Sequence, residues 1–486
     1  MCCRIAPTCL ALAVACVAVA CGRDAQAGNM KVENVAATED GGVRFDISWD
    51  DSWRASWKEG DTEWTNWDAA WVFIKYRKQG DPGWSHASLC TKDADHSAPD
   101  GAEINVGLTG EKGMGVFLYR SAEGKGTWAN KGVTLKWLNK DDGVDDPTKV
   151  ELFVHALEMV YVPEGSFLVG SAGRLAGPFT DGAWKRGEDV IPFRVKSEDE
   201  LKIANEPGCL FGTGGIGAAH QIGPEGKLSA EFPKGYGAFY CQKFEMTEGE
   251  YVAFLNQITE SQAAVRYPRP GMNPNRADDP AHTIYKVDDG YTAKKPQLSC
   301  NWLSWDDSAA YGDWSGLRPM TELEYEKACR GPLEPVENEY AWGTGTVTDD
   351  YIPGLDELPK TPYPVGIIGP EGRVETRSTY WGIAAMCGHL RERTVAVGQV
   401  EGRDFTGICG DGTIGEDGFA DVKNWPTRTE SWPPSQTAGG IGFKGGPWYG
   451  PAEKDMALRV SDRFLSSCQR KQRGQTYGWR GVRQAP

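Results

Sequence analysis

The rhythm of hydrophobic and polar positions changes about a third of the way along the chain. In the first part the apolar runs are short and suit strands. Ala70-Trp71-Val72-Phe73-Ile74-Lys75-Tyr76-Arg77 is rich in β-branched and aromatic residues, and so is Gly115-Val116-Phe117-Leu118-Tyr119-Arg120. Val133, Leu135 and Trp137 alternate with polar neighbours, as do Val150, Leu152, Val154 and Ala156. Gly- and Asp-rich turns separate these runs. The pattern predicts a small all-β sandwich over residues 28–157.

From residue 158 to the C-terminus the period lengthens. Thr247-Glu248-Gly249-Glu250 is a capping box, in which a Thr hydroxyl and a Glu three residues on satisfy each other's backbone amides. Tyr251, Phe254, Leu255 and Ile258 follow as an apolar helical stripe. Ser304-Trp305-Asp306-Asp307 opens a second helix that runs through Trp314. Thr321-Glu322-Leu323-Glu324 opens a third, which Gly331-Pro332 stops. Strands in the first part and helices with scattered strands in the second predict an α+β chain with 28–157 and 158–486 as its two domains.

Residues 172–235 are rich in Gly and Pro and weakly periodic, so they are expected as a loop insertion. Gly212-Thr213-Gly214-Gly215-Ile216-Gly217 matches the spacing of a dinucleotide-binding turn. It lacks the flanking strand and helix that would give the motif its meaning, and a flexible turn is the better reading. Nine Trp fall between Trp49 and Trp137, where core packing outweighs sugar stacking.

Residues 1–27 resemble an export signal: Arg4, an apolar stretch, then Ala25-Gln26-Ala27 as a cleavage site. Cys21 offers a lipoprotein alternative. The apolar run is too short for a retained anchor, and no other stretch could span a bilayer. The formal net charge of −16 argues against nucleic acid as a partner. Eight cysteines lie beyond the signal: Cys90, Cys209, Cys241, Cys300, Cys329, Cys387, Cys409 and Cys468. An even number in an exported chain permits disulfides and leaves their connectivity open. No C-x-x-C occurs, so a zinc ribbon is not expected.

Several segments together resemble one family. MVYVPEGSFLVGS (159–171), FYCQKFEMTEGEYVAFLN (239–256) and PQLSCNWLSWDDSAAYGDW (296–314) come first. GLRPMTELEYEKACRG (316–331), YAWGT (340–344) and IAAMCGHLRERT (383–394) follow. KGGPW (444–448), RVSDR (459–463) and YGWRGVR (477–483) close the series. In this order they resemble the sulfatase-modifying factor family, which includes the formylglycine-generating enzyme. The resemblance implies an irregular, α+β, C-type-lectin-like domain after the β-sandwich.

What it implies about chemistry is narrower. In that family two cysteines four residues apart, after the R-G-G-S-W turn, bind copper(I) through soft thiolates. Here Tyr449–Asp455 contains no cysteine and Cys468 stands alone, so no catalytic residue is assigned and copper is not expected. Related sulfoxide synthases use a histidine-rich iron site, but the six histidines here show no H-x-x-x-H-x-E pattern. Calcium is the cofactor the resemblance leaves, through the Gly388 and Leu390 carbonyls and the Glu392 carboxylate. The loop from Asp411 to Asp417 is a second oxygen-rich candidate, but Gly415 stands at a ligand position and no final Glu follows, so a polar turn is the better reading.

Arg459, Arg463, Arg470, Arg473, Arg480 and Arg483 in the C-terminal segment are expected to pair with carboxylates of the helices. Trp425, Trp432, Trp448 and Tyr449 are candidate ligand-binding aromatics, with core packing as the alternative. The reading is an exported, non-catalytic module for a peptide, glycan or surface protein. A metal-dependent protein-modifying enzyme of the same family is one alternative, and a self-associating surface assembly subunit is another.

Overall fold

The computed structural model describes residues 29–486 other than 174–176, 186, 213–222, 269–281, 347–372, 427–438, 448–456 and 469. The expected export signal and Cys21 therefore lie outside the described residues, as do Trp432, Trp448 and Tyr449.

Eight strands come first: β1 (Lys31–Ala37), β2 (Gly42–Glu59), β3 (Thr62–Arg77), β4 (Ser85–His86), β5 (Ala102–Thr109), β6 (Lys112–Arg120), β7 (Gly124–Lys136) and β8 (Glu151–Val162). Short strands follow: β9 (Phe167–Val169), β10 (Phe179–Asp181), β11 (Phe193–Val195), β12 (Leu201–Ile203), β13 (Leu210–Gly212) and β14 (Gly226–Leu228). Then come β15 (Phe239–Gln242), α1 (Glu248–Leu255), α2 (Glu260–Arg266), β16 (Ile284–Val287), β17 (Gly290–Ala293), α3 (Trp305–Trp314), β18 (Arg318–Thr321) and α4 (Glu322–Arg330). The chain ends with α5 (Arg373–Thr376), β19 (Arg391–Val395), α6 (Val400–Arg403), β20 (Ile441–Lys444), β21 (Tyr477–Gly478) and β22 (Gly481–Gln484). Mixed sheets with few helices make the fold α+β.

One sheet path runs through both parts of the chain, in the order β1-β2-β3-β8-β15-β22-β18-β19-β20. β8 pairs β3 along Glu151–Val160 and pairs β15 along Met159–Val162, both antiparallel. The expected boundary between residues 157 and 158 thus falls inside a strand that belongs to both parts.

β3 explains why its apolar run does not alternate. Val72 and Ile74 face a core shared with Val43, Phe45 and Ile47 of β2, Val116 and Leu118 of β6, and Val133 and Leu135 of β7. Trp71 and Phe73 face the other way, onto Tyr251 and Phe254 of α1 and Tyr311 and Trp314 of α3. A strand covered on both faces is apolar throughout. Lys75 is buried too, and its Nζ donates to the carbonyls of Trp314 (2.7 Å) and Gly412 (2.6 Å). Trp49, Trp53, Trp71 and Trp137 of this part are buried, and the half-buried Trp67 stacks on both Tyr161 and Tyr119, with ring centroids 4.1 and 5.1 Å away.

All three expected helix starts form, each with a capping box, on Thr247/Glu250, Ser304/Asp307 and Thr321/Glu324. Gly331 ends α4 at φ +68°, a conformation that only glycine adopts freely. The first helix stops at Leu255, before Ile258, because a fourth capping box on Thr259/Gln262 starts α2. The insertion 172–235, expected as loops, contains a four-stranded sheet of order β10-β13-β12-β14, and β11 pairs β9. Three-residue strands are too short to show a period-two pattern. Gly212 ends β13, and the rest of the glycine-rich turn lies outside the described residues.

Candidate functional site

The signature helix α4 is rich in charge yet buried along its whole length. Each carboxylate that its capping box and helical turn bring inward meets a cation. Glu324 accepts Arg318 in a two-pronged pair at 2.9 and 2.6 Å. Glu322 accepts Arg463 at 2.8 and 3.1 Å and the Val397 amide at 2.7 Å. Glu326 accepts Arg330 at 3.3 Å and the Gly170 amide at 2.8 Å. Arg330 also donates to Glu339, to the Leu168 and Gly170 carbonyls and to Ser461. Buried charge is tolerable only when paired in this way.

The expected stapling to helix carboxylates is present for Arg463 and Arg473, whereas Arg480 pairs with a strand residue and Arg483 donates to the Gly316 carbonyl. Arg463 reaches Glu322 on α4, Arg473 reaches Asp307 on α3 at 2.7 and 2.8 Å, and Arg480 reaches Glu392 on β19 at 2.9 Å. Burial alone would raise the Asp307 carboxyl. The Arg473 charge and hydrogen bonds override burial and bring it down to about 2.

Gly388, Leu390 and Glu392 sit in the turn before β19 and at its start. The Gly388 amide donates to the Gly445 carbonyl at 2.6 Å, and the Leu390 amide donates to Glu245 at 3.0 Å. Glu392 is buried with one oxygen held by Arg480, which also donates to the carbonyls of Gln242, Lys243 and Ala384. Glu245 lies beside Glu392. Burial first, then the Glu392 charge, push its carboxyl up to about 8. His389 is held at φ +55°, and burial lowers its imidazole to about 4. The second oxygens of Glu245 and Glu392 and Nε2 of His389 have no hydrogen-bond partner among the described residues, and Glu245 Oε2 lies 3.8 Å from His389 Nδ1. Two carboxylates beside one guanidinium are balanced by a shared proton. The residues present do not fit calcium here. A guanidinium 2.8 Å from the carboxylate supplies the positive charge already, and imidazole is a poor ligand for a hard cation.

Oxygens converge better elsewhere. Ligand atoms of Asp313, Asp411 and Asp421 all lie within 4.8 Å of one another. Asp313 is buried at the end of α3 and accepts the Asp411 and Asp421 amides, both at 3.1 Å. Burial and the neighbouring acids raise it to about 8. The Asp411 loop was legible in the sequence. Asp313 was not, because nothing local links it to a loop nearly a hundred residues away.

Trp425, expected as a ligand-binding aromatic, is a core residue. It is 3% exposed, packs with Trp305 and Phe405, and donates Nε1 to the Ile408 carbonyl at 2.8 Å. A ring enclosed on these sides offers no face to a ligand.

The insertion builds a cleft of about 190 Å³ that the sequence did not reveal. Phe193 and Val195 of β11 and Leu201 of β12 give it an apolar floor. Asp181, Arg194, Lys196 and Asp199 bring charges of both signs to its rim. One Asp181 oxygen is held by the Gly208 amide at 2.7 Å. Lys234 beneath is fixed by the carbonyls of Glu198, Ser229 and Phe232.

A family model described as "Sulfatase-modifying factor enzyme 1-like domain" matches residues 212–485, more than half of the chain. The formylglycine-generating enzyme of Bos taurus is 26% identical over 220 residues, which is 36% of this chain and 54% of that protein. The inactive C-alpha-formylglycine-generating enzyme 2 of Mus musculus is 26% identical over 172 residues, 34% of this chain and 53% of that protein. The chain therefore spans about half the length of these relatives. Among solved structures, the match to PvdO from Pseudomonas aeruginosa covers 68% of this chain and 95% of that one at 15% identity and a TM-score of 0.31.

Proposed function

Because the chain belongs to the family of sulfatase-modifying factor enzyme 1-like domains, we propose that it is an exported, non-catalytic member that binds a peptide, a glycan or a surface protein. The cleft in the insertion carries this reading. It combines an apolar floor with charged groups of both signs, the composition of a small recognition site. The signature residues support it from the other side. Glu322, Glu324, Glu326, Arg330 and Glu392 are all engaged in buried ion pairs that hold the fold together. One relative bears the word "inactive" in its name. Loops and short strands on a rigid scaffold suit recognition. Among the described residues no helix is long and apolar enough to cross a membrane.

The likeness to the bovine formylglycine-generating enzyme favours a second reading, in which the chain oxidises a peptide cysteine. One experiment separates the two. The mature protein is incubated with a C-x-P-x-R peptide, copper(I) and oxygen, and the peptide is weighed. It is also applied to peptide and glycan arrays beside a Leu201→Trp variant that fills the cleft. An unchanged peptide, with an array signal lost in the variant, supports the binding module. A peptide whose cysteine has become formylglycine overturns it.

A further inference from the structure

Two thiols meet in the core beneath the signature helix, although 57 residues of sequence separate them. Tyr325 and Cys329 lie one turn apart on α4, so their side chains share a face. The Tyr325 hydroxyl donates to the carbonyl of Met386, the residue before Cys387. The Ala341 amide donates to the Cys387 sulfur at 3.2 Å. Both thiols lie within hydrogen-bonding reach of the Tyr325 hydroxyl and within each other's field. Both belong to one apolar cluster, 0% and 1% exposed.

The other six cysteines have different surroundings. Cys90 faces Asp95 and Lys136, Cys241 faces Arg480 and Glu392, and Cys300 faces Glu248 and Asp307. Cys209 lies near Lys202, Cys409 near Arg318 and Arg483, and Cys468 near Arg393 and Arg470. Lys444 and Glu392 stand near Cys329 and Cys387 too, and Cys241 shares their apolar cluster; the difference is that Cys329 has a second cysteine, Cys387, beside it. Cys329 and Cys387 are the two brought together by an element and a turn that already touch.

We propose that Cys329 and Cys387 are a disulfide pair, joined during oxidative folding by exchange with a disulfide oxidant. Each thiol gives up its proton and a bond forms between the two sulfurs. The two electrons and the two protons pass to the oxidant, whose own sulfur–sulfur bond breaks to leave two thiols. The structure holds both cysteines as thiols. The bridge would tie the C-terminal end of α4 to the turn before β19 and close the chain between them into a loop. In the closed core burial pushes the Cys387 thiol up to about 12 and Cys329 well above its ordinary value.

The test uses the full mature chain, reduced in guanidinium and refolded in an oxidised/reduced glutathione buffer. Thiols are then blocked with iodoacetamide in denaturant, and the protein is peptide-mapped before and after reduction. The expected map has the Cys329 and Cys387 peptides linked, taking label only after reduction. Both peptides labelled from the outset, or Cys329 linked to any other cysteine, overturns the proposal. A second measurement compares melting of Cys329→Ser, Cys387→Ser and the double variant. A bridge makes the three losses equal and makes the wild type match them once dithiothreitol is present during refolding. Additive losses overturn it. Both readouts are made on purified protein, so they stand apart from the proposed export and ligand binding.

Discussion

The layer of β1, β2 and β7 closes over β3, β6 and β8 with Val43, Phe45, Ile47, Val72, Val116, Leu118, Val133 and Leu135. Around α4 the same need to exclude water is met with Arg318, Glu322, Glu324, Glu326, Arg330, Arg463 and Arg480, every one of them buried. The first core is long strands in register. The second is short elements and irregular segments whose backbone groups need partners that a ladder does not supply. Guanidinium groups fill that need, because each binds a carboxylate and several carbonyls at once, as Arg330 and Arg480 do. The apolar core is tolerant of detail and insensitive to pH. The ion-pair core specifies one arrangement and is exposed to the loss of any single partner.

The largest effect expected from this contrast is at Arg480. Arg480→Met leaves Glu392 and Glu245 buried together without their cation, and should cost about 3–5 kcal/mol in urea denaturation. A loss below about 1 kcal/mol would mean that the ion-pair core is not what holds this half. Leu118→Ala in the apolar core should cost about 3 kcal/mol through a cavity, with the same loss at pH 6 and pH 9. A pH-dependent loss there would blur the distinction between the cores.

A smaller effect is expected from Glu250. Burial raises its carboxyl from 4.5 to about 7 in the folded state. The folded protein therefore holds a proton that the unfolded chain releases. The stability this contributes is complete below the unfolded value and is lost as pH rises through about 7. Glu250→Gln keeps the acceptor for the Thr247 amide and should flatten that part of the stability curve. An unchanged slope would remove Glu250 from the account. The smallest effect is at a cap: Thr321→Ala should cost about 1 kcal/mol, since the hydroxyl satisfies the Glu324 amide. The melting temperature reads this directly.

What was legible without the fold was what a few adjacent residues decide. Capping boxes couple positions three apart, so all three expected helix starts stand in the sequence at Thr247, Ser304 and Thr321. Gly331 ends a helix wherever it follows one, and apolar runs such as 70–77 extend as strands because their branched and aromatic side chains fit a pleated surface. The order of the family's segments was equally local. The C-terminal arginines were readable as staples but their partners were not, since Arg463 lies 141 residues from Glu322, Arg473 lies 166 from Asp307 and Arg480 lies 88 from Glu392.

Tertiary structure alone decided several further features. β3 is covered on both faces, Asp313 joins the Asp411 loop, Trp425 is enclosed, and a cleft opens in a stretch whose strands are three residues long. It also carried one sheet through residues 157 and 158, where the apolar rhythm suggested a boundary. The physical reason is common to them all. A cap or a strand depends on neighbours along the chain, whereas burial on a second face, and the choice of which charge meets which, depends on register between strands that only the closed fold sets.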